Sequence, residues 1–458
     1  MTGQTYYIDP AAGNDANDGL TPARPLQTYS TREFVGGDTV LFQRGTIFRD
    51  VLHARCGNEQ APITYGAYGD GEKPAFLGSV SIGDPAHWVQ ERPSLWRYAR
   101  SLPSEVCNLI FNAGQSCGNL RWQFADLCQP GEWYYTGIGL SSMAESGPDP
   151  AHLDGILYLC SPTNPGLAYS SIEAALWGRR QLARCDGHIT LENLSFQNAG
   201  VHGCHGLHAS DVVIRNCDFR FIGGAVWHRE RRIRFGNAIE FWDGATDITV
   251  EDCLFDNIYD SGVTHQGGQT RHIPQRLYFR HNLFIDCGMA AYECREPSQD
   301  VYFEYNTCIN SGGGFSMQGE TPPRQSEIHP QPMGHHVFIW HIEPNTQPGN
   351  VYIRHNIFSQ APYGAAIYSI IDPADERRFV IDHNCYWQTS GILLIHMAGR
   401  FYGPSDFARY QADYHQDAHS MLADPRFIDE PYADYRLRDD SPCLAMGMQT
   451  AVSRHTSR

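Results

Sequence analysis

Two short stretches set acids beside aromatic and amide groups in a pattern suited to acid–base chemistry. NAIEFWDG holds Glu240, Trp242 and Asp243, and AAYECRE holds Tyr292, Glu293 and Arg295. Between them, IYDSG supplies Asp260 and GVTHQG supplies His265 and Gln266. Side chains of an extended strand alternate with period two, so Ile239 and Phe241 face one side while Glu240 and Trp242 face the other. Continued through the neighbouring stretches, this register turns Thr264 and Gln266, Glu293 and Arg295, and Ser316 and Gln318 (the last pair from GGFSMQGE) outward with them. A one-residue slip would bury Glu293 and expel Tyr292. Two carboxylates on one face can divide the work of general acid and of nucleophile or base. Glutamine and glutamate can also hydrogen-bond hydroxyls, and tryptophan can stack on the apolar face of a pyranose.

A rigid frame must hold these groups, and the sequence contains one. Seven copies of one pattern recur: ITLENLSF from Ile189, VVIRNCDF from Val212, ITVEDCLF from Ile248, LYFRHNLF from Leu277, VYFEYNTC from Val301, VYIRHNIF from Val351 and FVIDHNCY from Phe379. Their starts are 23, 36, 29, 24, 50 and 28 residues apart, so a unit of about 23 residues is enlarged by insertions. So short a unit, rich in β-branched residues and turn glycines, predicts a β-solenoid coil. Stacking would line up Asn282, Asn306, Asn356 and Asn384 in a ladder that Cys217 and Cys253 continue. Phe196, Phe219, Phe255, Phe284, Cys308, Phe358 and Tyr386 would form an apolar stack.

Composition narrows the function. A formal charge of −17 disfavours nucleic acid and anionic membrane surfaces as partners. No apolar run is long enough to span a bilayer, and MTGQTYYIDP lacks the basic and apolar regions of a secretory leader, so a cytoplasmic location is expected, or secretion if a leader has been removed. The 14 cysteines form no CxxC pair and match no zinc spacing, and they read as small hydrophobes of packed columns, reduced and mostly buried. No metal ligands are assigned, His335, His336 and His341 included. GNDANDG at 13–19 offers oxygen ligands for calcium but lacks the EF-hand spacing, so it reads as a turn, and no cofactor is expected. Lys73 is the single lysine, which excludes a lysine base among the coils.

The opening YYIDPAAGNDANDGLTPARPLQT, the phrase GGDTVLFQRG, CQPGEWYYTG with LYLCSPTNP, and the tail DAHSMLADPRFID with YRLRDDSPCLAMG resemble right-handed parallel β-helix proteins of the pectin-lyase-like superfamily. The resemblance is nearest to the branch of β-helix glycoside hydrolases such as families 120 and 141. It implies an all-β, right-handed parallel β-helix with a β-rich insertion. The expected divisions are a cap and first coils over 1–85, the insertion over 86–180, coils over 181–400 and a C-terminal cap over 401–458. That cap should include a short helix around FARYQADYH.

The resemblance also implies a carbohydrate substrate cleaved hydrolytically by two acids on neighbouring coils. Glu293 is the leading acid/base, with Glu240 or Asp243 as partner and Asp260 as the other candidate. Substrate contacts are expected from Trp242, Gln266, Arg295, Gln318, His265, Tyr292, Trp340 and His341. A uronate lyase or epimerase, working through Arg295, Tyr292 and His265, and a noncatalytic glycan-binding helix are the alternatives. Sugar, linkage and oligomeric state are not readable.

Overall fold

The repeat copies fold as strands because their branched and aromatic residues alternate, and a left-handed residue in the middle of each copy turns the chain onto a new face. The computed structural model describes residues 3–30, 32–139, 155–178, 181–266, 273–295, 298–317, 333–340, 350–370, 378–389 and 394–448. Three long sheets run through it. The first carries the opening strand of each copy, in the order Gly187–Glu192, Ser210–Arg215, Thr246–Glu251, Gln275–Arg280, Gln299–Glu304, Val351–Arg354 and Phe379–Asp382. The second carries the closing strand of each copy, from Ser195–Gln197 to Cys385–Trp387. The third carries the strands that follow, and neighbours within these repeats pair in parallel.

The corner between the first two sheets is made by left-handed residues, and His281, Tyr305, His355 and His383 all have φ of 56–57°. Immediately after each comes the ladder asparagine. Asn282 donates to Oδ1 of Asn306 at 3.1 Å, Asn306 to Asn356 at 3.2 Å, and Asn356 to Asn384 at 3.1 Å. Each amide also reaches a backbone carbonyl, as Asn306 does to Phe279 at 2.9 Å, so no arm of these buried groups is wasted. Cys217 and Cys253 extend the line, since the Cys253 N–H donates to Oδ1 of Asn282 at 2.9 Å. The ladder ends on Asp417, whose buried carboxylate accepts from Tyr386, Tyr410 and Ser420 as well as Asn384. Burial pushes Asp417 up to about 6 against these hydrogen bonds.

Inside, Phe196, Phe219, Phe255 and Phe284 stack with centroids 5.4, 5.2 and 4.5 Å apart. Among the described residues every cysteine is a free thiol, most of them buried. Ser79–Ser81, Val106–Phe111 and Ile172–Leu176 belong to a separate sheet, and Trp88–Arg92, Leu95–Tyr98, Glu132–Tyr135 and Leu157–Cys160 to another. The two share a core around Trp133 and Trp88. A helix, Phe407–Tyr414, packs Phe407 and Tyr410 against the end of the main core.

One reading of the elements needs correction. The start of GGFSMQGE is not a strand of the third sheet: Gly314–Met317 is a turn of 3₁₀ helix, residues 318–320 lie outside the described residues, and Ala290–Arg295 pairs instead with His335–Trp340. HHVFIW is apolar enough to be buried throughout, and Gly312 and Gly314 at φ of 88° and 68° divert the chain before it. GNDANDG is a turn, with Oδ1 of Asp15 accepting the N–H groups of Gln27 and Thr28 at 2.9 and 2.8 Å. No helix among the described residues is long and apolar enough to cross a membrane.

Candidate active site

The third sheet does not alternate strictly, and that irregularity builds the site. Ala238 and Ile239 both enter the main core, as do Ala291 and Tyr292. A Cβ on Gly203 would strike Phe219, and one on Gly262 would strike Phe284, while Cys204 and Val263 beside them are core residues. Two consecutive inward residues release the residue before them to the outside. His202 and Ser261 are freed in this way, one strand before and one strand after Ile239–Trp242.

Beyond the kink normal alternation returns. Glu240 pairs with Thr264, and Thr264 with Glu293, so the two glutamates share one outward line with a single strand between them. Trp242 pairs with Gln266 and Arg295 with Trp340 in the next outward line. The outward register expected for these strands is therefore the one observed.

Glu293 is almost fully enclosed, 1% exposed. Its Oε1 accepts from the Trp340 indole at 2.8 Å, and its Oε2 from Ser261 Oγ and Gln266 Nε2, each at 3.2 Å. Burial drives its carboxyl up to about 7, against the pull of Arg295 and the indole, and the neighbouring Asp260 charge adds to the rise. Glu240 has the opposite balance. Burial raises it, but His202, His205 and Arg295 outweigh that and hold it below the ordinary glutamate value.

His202 Nε2 lies 2.8 Å from Oε2 of Glu240, while His202 Nδ1 accepts the Asn237 N–H at 3.2 Å. With Nδ1 occupied as an acceptor, the ring proton belongs on Nε2, where it is donated to Glu240. Arg295 bonds Oε1 of Gln266 and lies 4.5 Å from the Trp340 ring centroid and 5.8 Å from that of Trp242. Trp242, 37% exposed, is the most solvent-exposed member of this cluster, and Arg295 is half-buried.

The remaining expected residues fall elsewhere. His265 and Tyr292 are corrected: both are wholly buried and face the interior, His265 Nε2 lying 3.0 Å from the Tyr292 hydroxyl. Burial lowers His265 to about 3 and raises Tyr292, as suits uncharged core groups without substrate contact. The same alternation that turns Glu293 out turns its neighbour in. Asp243 sits past the strand end at φ 56°, its Oδ2 3.4 Å from His208 Nε2. Asp260 is buried near the line and accepts the Gly236 N–H at 2.9 Å. Gln318 and His341 lie outside the described residues. Sequence reasoning missed His202 and Ser261; the small residue following each, Gly203 and Gly262, was the available signal.

The family model described as right handed beta helix region matches residues 182–370, the segment that contains both glutamates. Together with the three parallel sheets, this defines the chain as a right-handed parallel β-helix protein. The lacto-N-biosidase of Bifidobacterium longum subsp. longum is 23% identical over 371 residues, covering 68% of this chain and 22% of that protein. The chain thus spans about a fifth of the length of this curated relative. Among solved structures, a GH136 lacto-N-biosidase from Eubacterium ramulus superposes with a TM-score of 0.46 at 15% identity, over 92% of this chain and 67% of that one. The pectate lyase Pel9A superposes with a TM-score of 0.45 at 12% identity, over 100% and 94%.

Proposed function

We propose that this chain is a glycoside hydrolase in which Glu293 is the general acid and Glu240 the nucleophile or base. The observation that carries the reading is the outward line Glu240–Thr264–Glu293, whose two carboxyls have environments pushed in opposite directions. Pairs of acids separated in this way are the arrangement that acid–base cleavage of a glycosidic bond requires. Glu293, held protonated toward neutrality, gives its proton to the leaving oxygen. Glu240, ionised and oriented by His202, attacks the anomeric carbon or takes the proton of a water that does.

Two strand spacings separate the backbones by about 9.6 Å, and side chains leaning together bring the carboxyls within the roughly 5 to 9.5 Å that covers retaining and inverting geometries. Trp242 offers the sugar an exposed aromatic face, and Arg295 is braced by Gln266 for contacts with hydroxyls. The likeness to a lacto-N-biosidase supports an oligosaccharide substrate. A lyase reading loses ground because two of the three groups nominated for it, His265 and Tyr292, are inside the coil.

The test is incubation with a panel of aryl glycosides, oligosaccharides and uronate polysaccharides, scoring released aglycone or reducing sugar together with ultraviolet absorbance. Reducing ends without an unsaturated product are expected, and their release should fall on the order of a hundredfold or more in Glu293→Gln. An unsaturated product would reject hydrolysis, and no turnover or only binding would favour the glycan-binding alternative.

A further inference from the structure

We propose that Asp382, His383 and His419 form a site for a divalent transition metal of the zinc class, which clips the C-terminal segment to the last repeat. These three residues belong to the first sheet and the segment beyond the helix, not to the third sheet that carries the chemistry above. Asp382 closes the strand Phe379–Asp382 of the first sheet, His383 occupies the left-handed corner beside it at φ 56°, and His419 arrives from the segment after the helix Phe407–Tyr414.

Their ligand atoms converge. Nδ1 of His419 is 2.7 Å and Nδ1 of His383 3.3 Å from the same oxygen, Oδ2 of Asp382, and the three atoms lie within 4.8 Å of one another. Bonds of about 2.0–2.2 Å to one tetrahedral ion place ligand atoms about 3.4 Å apart, close to the His383 contact and wider than that of His419, so an ion would spread His419 from the carboxylate. The histidine rings are stacked, with centroids 4.8 Å apart and planes 23° from parallel, and both present Nδ1 to the carboxylate.

The carboxylate is already aimed by the backbone. Oδ1 of Asp382 accepts the N–H of His383 at 2.9 Å and of His419 at 2.7 Å, which leaves Oδ2 turned toward the imidazoles. Such outer hydrogen bonds are the orienting contacts that metal sites use. His355 backs His383, ring centroid to centroid 4.9 Å. Two imidazoles and one carboxylate favour zinc-class ions over calcium or magnesium, which prefer all-oxygen sets, and leave a fourth position for water.

The test is calorimetric titration of the full chain, treated with chelator and then dialysed, with Zn²⁺ alone and with Ca²⁺ alone. Wild type is compared with His419→Ala and, as a variant that keeps the backbone-directed oxygen, Asp382→Asn. The side chain of His419 is 67% exposed, so its removal leaves the fold in place, which circular dichroism verifies. Wild type should bind one more equivalent of Zn²⁺ than either variant, or bind it at least tenfold more tightly, and Zn²⁺ should raise the melting temperature of wild type alone. Equal Zn²⁺ stoichiometry and affinity in wild type and both variants would overturn the proposal, as would Ca²⁺ binding as tightly as Zn²⁺.

Discussion

The Trp340 indole N–H donates to Oε1 of Glu293 at 2.8 Å across 47 residues of chain. The indole donates to Oε1 at 2.8 Å while the donors to Oε2, Ser261 Oγ and Gln266 Nε2, lie at 3.2 Å, so Oε2 is the better place for the proton of a neutral Glu293. Ser261 lies beside that atom, and its hydroxyl can turn to accept. Removing the indole donor with Trp340→Phe keeps the aromatic bulk but withdraws support from the ionised form. The alkaline limb of the rate profile should then move upward by up to about one pH unit. A limb that stays in place would show that the hydrogen bond does not tune this carboxyl.

Glu293→Gln retains an acceptor for the indole while removing the transferable proton. Turnover on an unactivated substrate should fall on the order of a hundredfold or more, with the melting temperature little changed. Near-normal turnover would shift the assignment to Asp260, the buried acid beside it.

The pH profile follows from the two environments. With Glu293 required protonated and raised to about 7, activity should decline as pH passes about 7. With Glu240 required ionised and lowered from 4.5, the acidic limb should lie below 4.5. Stability has a related sign: the raised Glu293 contributes most below its unfolded value, and that contribution is lost as pH rises through about 7. A kcat/KM profile flat from pH 5 to about 9 would contradict these roles.

Asn306→Ala removes the side chain that joins two rungs of the ladder. It strands the backbone N–H of Asn282 and the carbonyl of Phe279 in a dry interior. The expected loss is about 2–4 kcal/mol in denaturant unfolding, from unsatisfied groups and a small cavity together. A loss under about 0.5 kcal/mol would mean the ladder only fills space.

Thiol reactivity should come in two classes. Cys56 and Cys128 are exposed and should react first with a thiol reagent, with the half-buried Cys117 slower, whereas the buried cysteines, Cys217 and Cys253 among them, should react on unfolding. Denatured protein assayed without reductant should show nearly all fourteen free. Fewer than about ten would indicate disulfides.

Much of the frame was legible in the sequence because its signal is repeated. Asn282, Asn306, Asn356 and Asn384 recur at one phase of a pattern, and stacking is the way such a pattern satisfies buried amides. The outward phase of Glu240 and Glu293 was legible for the same reason, since Ile239, Phe241, Tyr292 and Cys294 claim the inside. What failed lay where periodicity stops. GGFSM looked like the start of a strand because it follows an apolar stack position, yet Gly314–Met317 coils into a 3₁₀ turn and HHVFIW takes the place. His202 was invisible for a subtler reason: its outward turn depends on Gly203 and Cys204 both pointing in, a departure from alternation that no single strand announces. Long-range partners such as Trp340 for Glu293 became visible only once the register across four strands was known.

Asp417 has a bearing beyond the pairs it satisfies. A stack whose every layer offers the same amide and the same unpaired strand edge has no intrinsic length, and an uncovered final layer is a template for the first layer of another molecule. By taking the last amide of the ladder on a carboxylate, and by placing the helix Phe407–Tyr414 over the open end, the chain makes its terminal layer chemically unlike the rest. Cutting the chain before Gly403 should therefore expose a sticky end and turn discrete particles into end-to-end fibres.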